Sequence, residues 1–147
     1  MNLHLYQYGH GSDLPGISIG VARQAPRGIR VEDRFHKGYF QVWIPLLAPS
    51  RALYSAYRQQ TISQAQFARR YLREMKNPES KQAISLVAAM CRTARVNLGC
   101  FCKDDSKCHR SLLADLIRKA EADLPPSPEP MPQYFSPPCS MPAIEDE

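Results

Sequence analysis

Residues 95–110 read Arg95-Val96-Asn97-Leu98-Gly99-Cys100-Phe101-Cys102-Lys103-Asp104-Asp105-Ser106-Lys107-Cys108-His109-Arg110, and their reading decides the fold. Val96 and Leu98 alternate as a buried pair on a strand spanning about 95–101. The polar run 103–107 reads as a turn that offers a helix cap at Asp105 or Ser106. From Cys108 to Ala122, Leu112, Leu113, Leu116, Ile117 and Ala120 recur at helical spacing. A strand running through a short loop into a helix is the repeating unit of an open α/β sheet, and such sheets hold ligands at strand ends and helix starts.

The segments upstream are consistent with that unit. Leu3 to Tyr8 alternates as a strand and ends in the Gly9-His10-Gly11 turn; Ile17 to Ala22 repeats the pattern and runs into Arg23. Residues 29–50 suit a strand or a packed loop equally well, broken by Pro45 and Pro49. Ser50 reads as the N-cap of a helix carrying Leu53, Ala56 and Tyr57. Thr61 to Met75 reads as a second helix, with Thr61 and Gln64 as a capping box and Ala65, Ala68, Tyr71, Leu72 and Met75 as its core face. Pro78 opens a third helix that carries Ala83, Ile84, Val87 and Ala88 toward Cys91. The pattern predicts one small α/β domain over 1–124, an open and mostly parallel sheet flanked by helices.

Beyond Leu124 the composition changes, because eight of the thirteen prolines fall in 125–147. Proline removes backbone donors, so this acidic stretch reads as a disordered tail. It holds no Lys or Arg and four acidic residues, which leaves 19 basic against 10 acidic residues in 1–124, a balance of +9. That charge favours anionic partners, a small anionic ligand or nucleic acid, and Arg69, Arg70, Arg73 and Lys76 place part of it on one helix. No apolar run approaches the ~18 residues of a membrane span, which excludes a helical membrane protein. The N-terminal residues do not read as a secretory signal, so a cytoplasmic location is expected. The five cysteines, Cys91, Cys100, Cys102, Cys108 and Cys139, are odd in number and not spaced as a disulfide framework, so they read as thiols.

The chemistry concentrates in Cys100–Arg110. Cys108, His109 and Arg110 fall in the first turn of the last helix, where free amides and the helix dipole favour an anion and a thiolate. Cys108 and His109 are the catalytic candidates, as nucleophile and acid/base; Arg110, Arg23 and Cys100 are the ligand-binding candidates for a nucleotide or nucleic-acid phosphate. Two further readings compete: a basic nucleic-acid-binding module without catalysis, and a structural thiol or zinc site formed by Cys100, Cys102, Cys108 and His109. Cys100 and Cys102 also read simply as small buried core residues, Tyr71 and Tyr57 as core phenols, and no cofactor is indicated.

Ile17-Ser-Ile-Gly-Val-Ala-Arg23, Pro26-Arg27-Gly28, Leu47-Ala-Pro-Ser50, Arg69-Arg70-Tyr71 and Cys108-His109-Arg110-Ser-Leu-Leu113, taken in this order, resemble the family known as domain of unknown function 488, which includes YeaO-like proteins. The likeness covers about 17–120. It implies a small α/β cytoplasmic protein without a settled activity, in which residues matching Arg23, Cys100, Cys108, His109 and Arg110 recur. Cys102 stands where members of the family often carry another residue.

Overall fold

The computed structural model describes residues 1–127, so the tail from 128 onward, with Tyr134, Phe135 and Cys139, lies outside the described residues. Four strands, β1 (Leu3–Gln7), β2 (Ile17–Gly20), β3 (Val42–Trp43) and β4 (Val96–Cys100), form one parallel sheet in the order β1-β4-β2-β3. Helices α1 (Arg51–Arg58), α2 (Gln64–Glu74) and α3 (Pro78–Thr93) fill the crossover between β3 and β4, and α4 (His109–Asp123) follows β4. β4 is therefore the last strand in sequence and a central one in space, paired on both edges and buried at all five positions. This burial on both faces is the ordinary condition of a parallel strand. The one polar side chain of β4, that of Asn97, is buried with its amide donating to the Pro15 carbonyl at 2.9 Å. The alternation of strand and helix holds only from β3 onward, since β1 and β2 are joined by a loop.

The two faces of the sheet are covered differently. Leu3, Leu5, Ile17, Ile19, Val96 and Leu98 pack against the helices through Leu53, Phe67, Tyr71, Ile84, Val87, Leu113 and Ile117. On the other face Tyr6, Tyr8 and Phe40 stand against Gly20 and Gly99, and one cluster of contacts joins these rings and Ala22 to Cys100 and Cys108. Residues 29–50, left open between strand and loop, hold a 3-10 turn at Val31–Asp33, the two-residue β3 and another 3-10 turn at Pro45–Leu47.

Several local expectations need correction. α2 starts later than the sequence pattern suggests: Ser63, not Thr61, is its N-cap, and the capping box pairs Ser63 with Gln66. Its buried face is Phe67, Tyr71 and Met75 at successive i,i+4 positions, while Ala65 is exposed. α4 is capped at Cys108 rather than at Asp105 or Ser106. The polar run before it instead closes its own 3-10 turn, with the Asp104 carboxylate accepting from the Ser106 amide at 3.0 Å and from its hydroxyl at 2.6 Å. Local side-chain acceptors of this kind compete with the helix for the chain, and here they delay its start by two to three residues. Ser50 caps α1 and Pro78 opens α3 as expected. At its far end α4 is tied to α3 by Arg92, which donates to the Glu121 carboxylate at 3.0 Å and to the Leu124 carbonyl at 3.1 Å.

Gly20 and Gly99 lie side by side across the β2–β4 ladder. A Cβ at Gly99 would collide with the Tyr6 ring, and one at Gly20 with Phe40 and the Tyr8 hydroxyl. The glycines thus form a notch that lets aromatic rings lie flat on the sheet. Gly99→Ala is expected to lower unfolding free energy by about 1–3 kcal/mol, the usual range for overpacking, whereas Leu86→Ala on the exposed side of α3 should stay within ~0.5 kcal/mol. Urea unfolding of both variants checks this; equal stabilities would show that Tyr6 can move aside.

Candidate functional site

The fold brings the end of β4 and the start of α4 together above the centre of the sheet. Cys108, His109 and Arg110 are consecutive, so their side chains leave the helix about 100° apart. Each takes a different anchor. His109 Nε2 lies 2.8 Å from the Val21 carbonyl just past β2. A carbonyl only accepts, so Nε2 carries a proton and Nδ1 is left facing Cys108 Sγ at 3.6 Å. Arg110 reaches the other neighbour of β4, donating to the Tyr6 carbonyl of β1 and, through Nη2, to the Cys102 carbonyl at 2.5 Å. One helix turn therefore clamps both strands that flank β4.

Arg110 is 0% exposed. Its charge is met by the Asp105 carboxylate at 2.6 Å from Nη2 and by Cys108 Sγ at 3.4 Å from Nε. Burial works against the guanidinium, but the Cys108 sulfur and Asp105 outweigh it and hold the group charged. The fork read from sequence as an anion receptor is thus spent within the protein, on two carbonyls, a carboxylate and a sulfur.

Cys100, Cys102 and Cys108 converge, with their sulfur atoms all within 4.8 Å of one another. Hydrogen bonds from the Cys100 and Cys102 thiols, followed by that from His109, pull the Cys108 thiol far below its ordinary range against the opposing effect of burial. Cys100 is pushed up by its bonds to Cys102 and Cys108 and by burial. For Cys102 the bond to Cys100 lowers the pKa, but the bond to Cys108 and burial leave it raised overall. Of the three sulfurs, Cys108 is the one whose surroundings favour the thiolate, and Cys100 and Cys102 are held toward the thiol. Cys91, buried in the helix-side core, is raised chiefly by burial.

A cavity of about 60 Å³ opens onto this cluster. Tyr54, Tyr57, Phe67 and Phe101 wall it, the three cysteines and His109 border it, and Arg23 and the exposed Lys107 stand beside it. Arg23 is held by the Pro49 carbonyl at 2.9 Å and the Ala48 carbonyl at 3.1 Å. A wider depression adjoins the cavity through Arg23, Gln24 and Tyr54 and adds Arg51 and Arg58. Arg58 lies over the Tyr54 ring, its Cζ 5.8 Å from the centroid.

All six sequence candidates, Arg23, Cys100, Cys102, Cys108, His109 and Arg110, stand in or directly behind this region. His10 is exposed and borders neither depression. The sequence reading missed Asp105 as the partner of Arg110, having taken it for a helix cap, and missed the aromatic wall, for which Phe67 four residues before Tyr71 was the available signal. The Tyr71 hydroxyl donates to the Leu47 carbonyl at 2.7 Å and is pushed up by burial, the behaviour of a core phenol.

The model of a family described as the active DUF488-N3 subclade matches residues 3–121. The chain belongs to this family. The match includes every element from β1 to nearly the whole of α4, and with it all the residues of the site. No curated protein and no solved structure matches the chain. Among the described residues of this DUF488 protein, no helix is long and apolar enough to cross a membrane.

Removing one member of a buried charge set leaves the others uncompensated, which typically costs about 3–5 kcal/mol. Arg110→Ala is expected to destabilise the protein by that amount in urea unfolding. Asp105→Asn should cost clearly less, because Asp105 is 50% exposed and water takes over its role. A loss below ~1 kcal/mol for Arg110→Ala would show that the clamp is not structural.

Proposed function

We propose that this protein is a cysteine-dependent enzyme acting on a small phosphate-bearing substrate of the nucleotide class, with Cys108 as its nucleophile. The observation that carries the reading is the placing of Cys108 Sγ on the cavity with Arg110 Nε at 3.4 Å and His109 Nδ1 at 3.6 Å behind it. A sulfur faced by two such groups is a prepared thiolate, and an otherwise buried thiolate bordering a cavity is available to a ligand there. The description of the matched family as active also supports catalysis.

In this reading the roles divide by reach. Arg110 touches the sulfur and no ligand, so it is a positioning residue, and His109 is the base that receives the Cys108 proton. The anion falls to Arg23 and Lys107 beside the cavity, with Arg51 and Arg58 beyond them. In a displacement, a bond forms from Cys108 Sγ to the electrophilic centre as the bond to the leaving group breaks, and that group departs with the electron pair. Attack of water on the thio-adduct then frees Cys108.

Limiting iodoacetamide near pH 7, followed by peptide mapping, tests the reading on reduced, metal-free protein. Cys108 should be labelled before Cys91 and Cys100, and a nucleoside monophosphate should slow the labelling. Faster reaction at Cys91 or Cys100 would overturn it. Against a panel of phosphate-bearing substrates, Cys108→Ser should abolish turnover while retaining binding; retained turnover would show that Cys108 is not the nucleophile.

A second reading has its own observation: Arg69, Arg70 and Arg73 on α2 and the following Lys76 are all exposed. They fit a nucleic-acid-binding module in which phosphate contacts dominate. Its affinity should then fall by about 0.9 decade per decade of salt for each phosphate contact. An electrophoretic shift of duplex DNA or RNA that is absent even at low salt ends this reading.

A further inference from the structure

We infer that Cys100, Cys102 and Cys108 form a binding site for a soft divalent metal ion of the zinc class, with three sulfur ligands and a fourth position open to the cavity. The three sulfurs lie within 4.8 Å of one another. Around an ion with metal–sulfur bonds of about 2.3 Å, tetrahedral sulfur ligands stand about 3.8 Å apart, so closure requires each pair to approach by no more than about 1 Å. The half-buried Cys102 lies in the loop beyond β4, where such a shift is cheapest.

Convergence is the feature that core packing does not require. Cys91 is equally buried, at 2% exposure, and packs among Ile84, Val87 and Ala88 without joining any group of potential ligands among the described residues. Cysteines serving only as small apolar residues have no reason to aim three sulfurs at one point.

The donor set fixes the class of ion. It holds no carboxylate oxygen and no imidazole nitrogen, which disfavours magnesium and calcium and selects thiophilic ions. His109, the fourth ligand suggested by the Cys-x-Cys-x5-Cys-His spacing, is not part of the group whose ligand atoms converge; its Nε2 is anchored on the Val21 carbonyl and its Nδ1 faces Cys108 Sγ from 3.6 Å. Charge selects the valence. Three thiolates and a divalent ion leave one negative charge, and the fully buried guanidinium of Arg110 already stands 3.4 Å from Cys108 Sγ.

Access is open as well, since all three cysteines border the cavity. The ion can enter the folded protein, and water or a small anion can complete its shell. Structural zinc sites are closed by four protein ligands; three ligands with an open position is the arrangement of sites that exchange their fourth ligand. Loading engages the Cys108 sulfur, so a loaded protein is protected from alkylation.

Cadmium alone is the probe, titrated into the reduced full-length protein and followed by its sulfur-to-metal charge-transfer absorption. The band should rise linearly and stop at one equivalent. Cys102→Ser, at a half-buried loop position chosen so that the fold survives, should lower the plateau by about a third, one sulfur of three. Cys91→Ser and Cys139→Ser should leave it unchanged. Absence of a plateau at one equivalent, or the same plateau in Cys102→Ser as in the natural chain, would overturn the inference. The nucleophile reading is tested on metal-free protein and stands or falls separately.

Discussion

Arg110 holds a guanidinium with no exposure to water where the start of α4 meets the end of β4. Taking the charge of Arg110 out of solvent is costly unless every donor finds a partner and a negative charge stands close by. The chain meets that demand from four directions: a carbonyl of β1, a carbonyl just past β4, the Asp105 carboxylate, and the sulfur at the helix cap. Arginine suits the position because its planar fork presents donors in several fixed directions at once. A lysine would bring the charge without the geometry.

From that constraint the placing of the cysteines follows. Arg110 pins the start of α4 toward β1 and His109 pins it toward β2, so Cys108, one residue earlier, sits above β4 between them. β4 delivers Cys100 from below on the helix-bearing side, in phase with Val96 and Leu98, and Cys102 follows two residues later. On the opposite face the Gly20–Gly99 notch accepts Tyr6, Tyr8 and Phe40, the aromatic layer that belongs to the same cluster as Cys100 and Cys108. The sulfurs are thus held by packing on both sides of the sheet, and their separation is a property of the fold.

The strand-loop-helix at 95–123 was legible because its signals agree: an alternating pair, a polar turn, and leucines at helical spacing. The parallel sheet followed from it, and so did the convergence of Arg23 and the Cys108-His109-Arg110 triplet on one region. Boundaries were misread where two residues compete for one task. Thr61 and Ser63 both precede a glutamine by three, but Thr61 is engaged in closing α1, its amide and its hydroxyl each donating to the Ala56 carbonyl at 3.0 Å, which leaves Ser63 to cap α2. Asp105 reads as a cap because a carboxylate before a helix usually is one; nothing local reveals that a buried arginine five residues later needs it. The order β1-β4-β2-β3 was not legible either, since inserting the last strand between the first two depends on contacts about ninety residues apart in sequence.

The two uses argued for the sulfur cluster meet in a single balance of charge. With one thiolate and two thiols, the three sulfurs carry one negative charge beside Arg110. Exchange of the two thiol protons for one divalent ion leaves that total unaltered, so the guanidinium, the Asp105 carboxylate and the clamp on β1 and β2 see the same field in both states. Little reorganisation of the fold is then required when the occupant changes, because the cost of burying charge depends on the sum the surroundings must compensate. A monovalent ion would leave an extra negative charge in the cluster, and a trivalent one an extra positive charge against an arginine already in place. The buried guanidinium 3.4 Å from Cys108 Sγ thus also favours an occupant that leaves the cluster with a single negative charge.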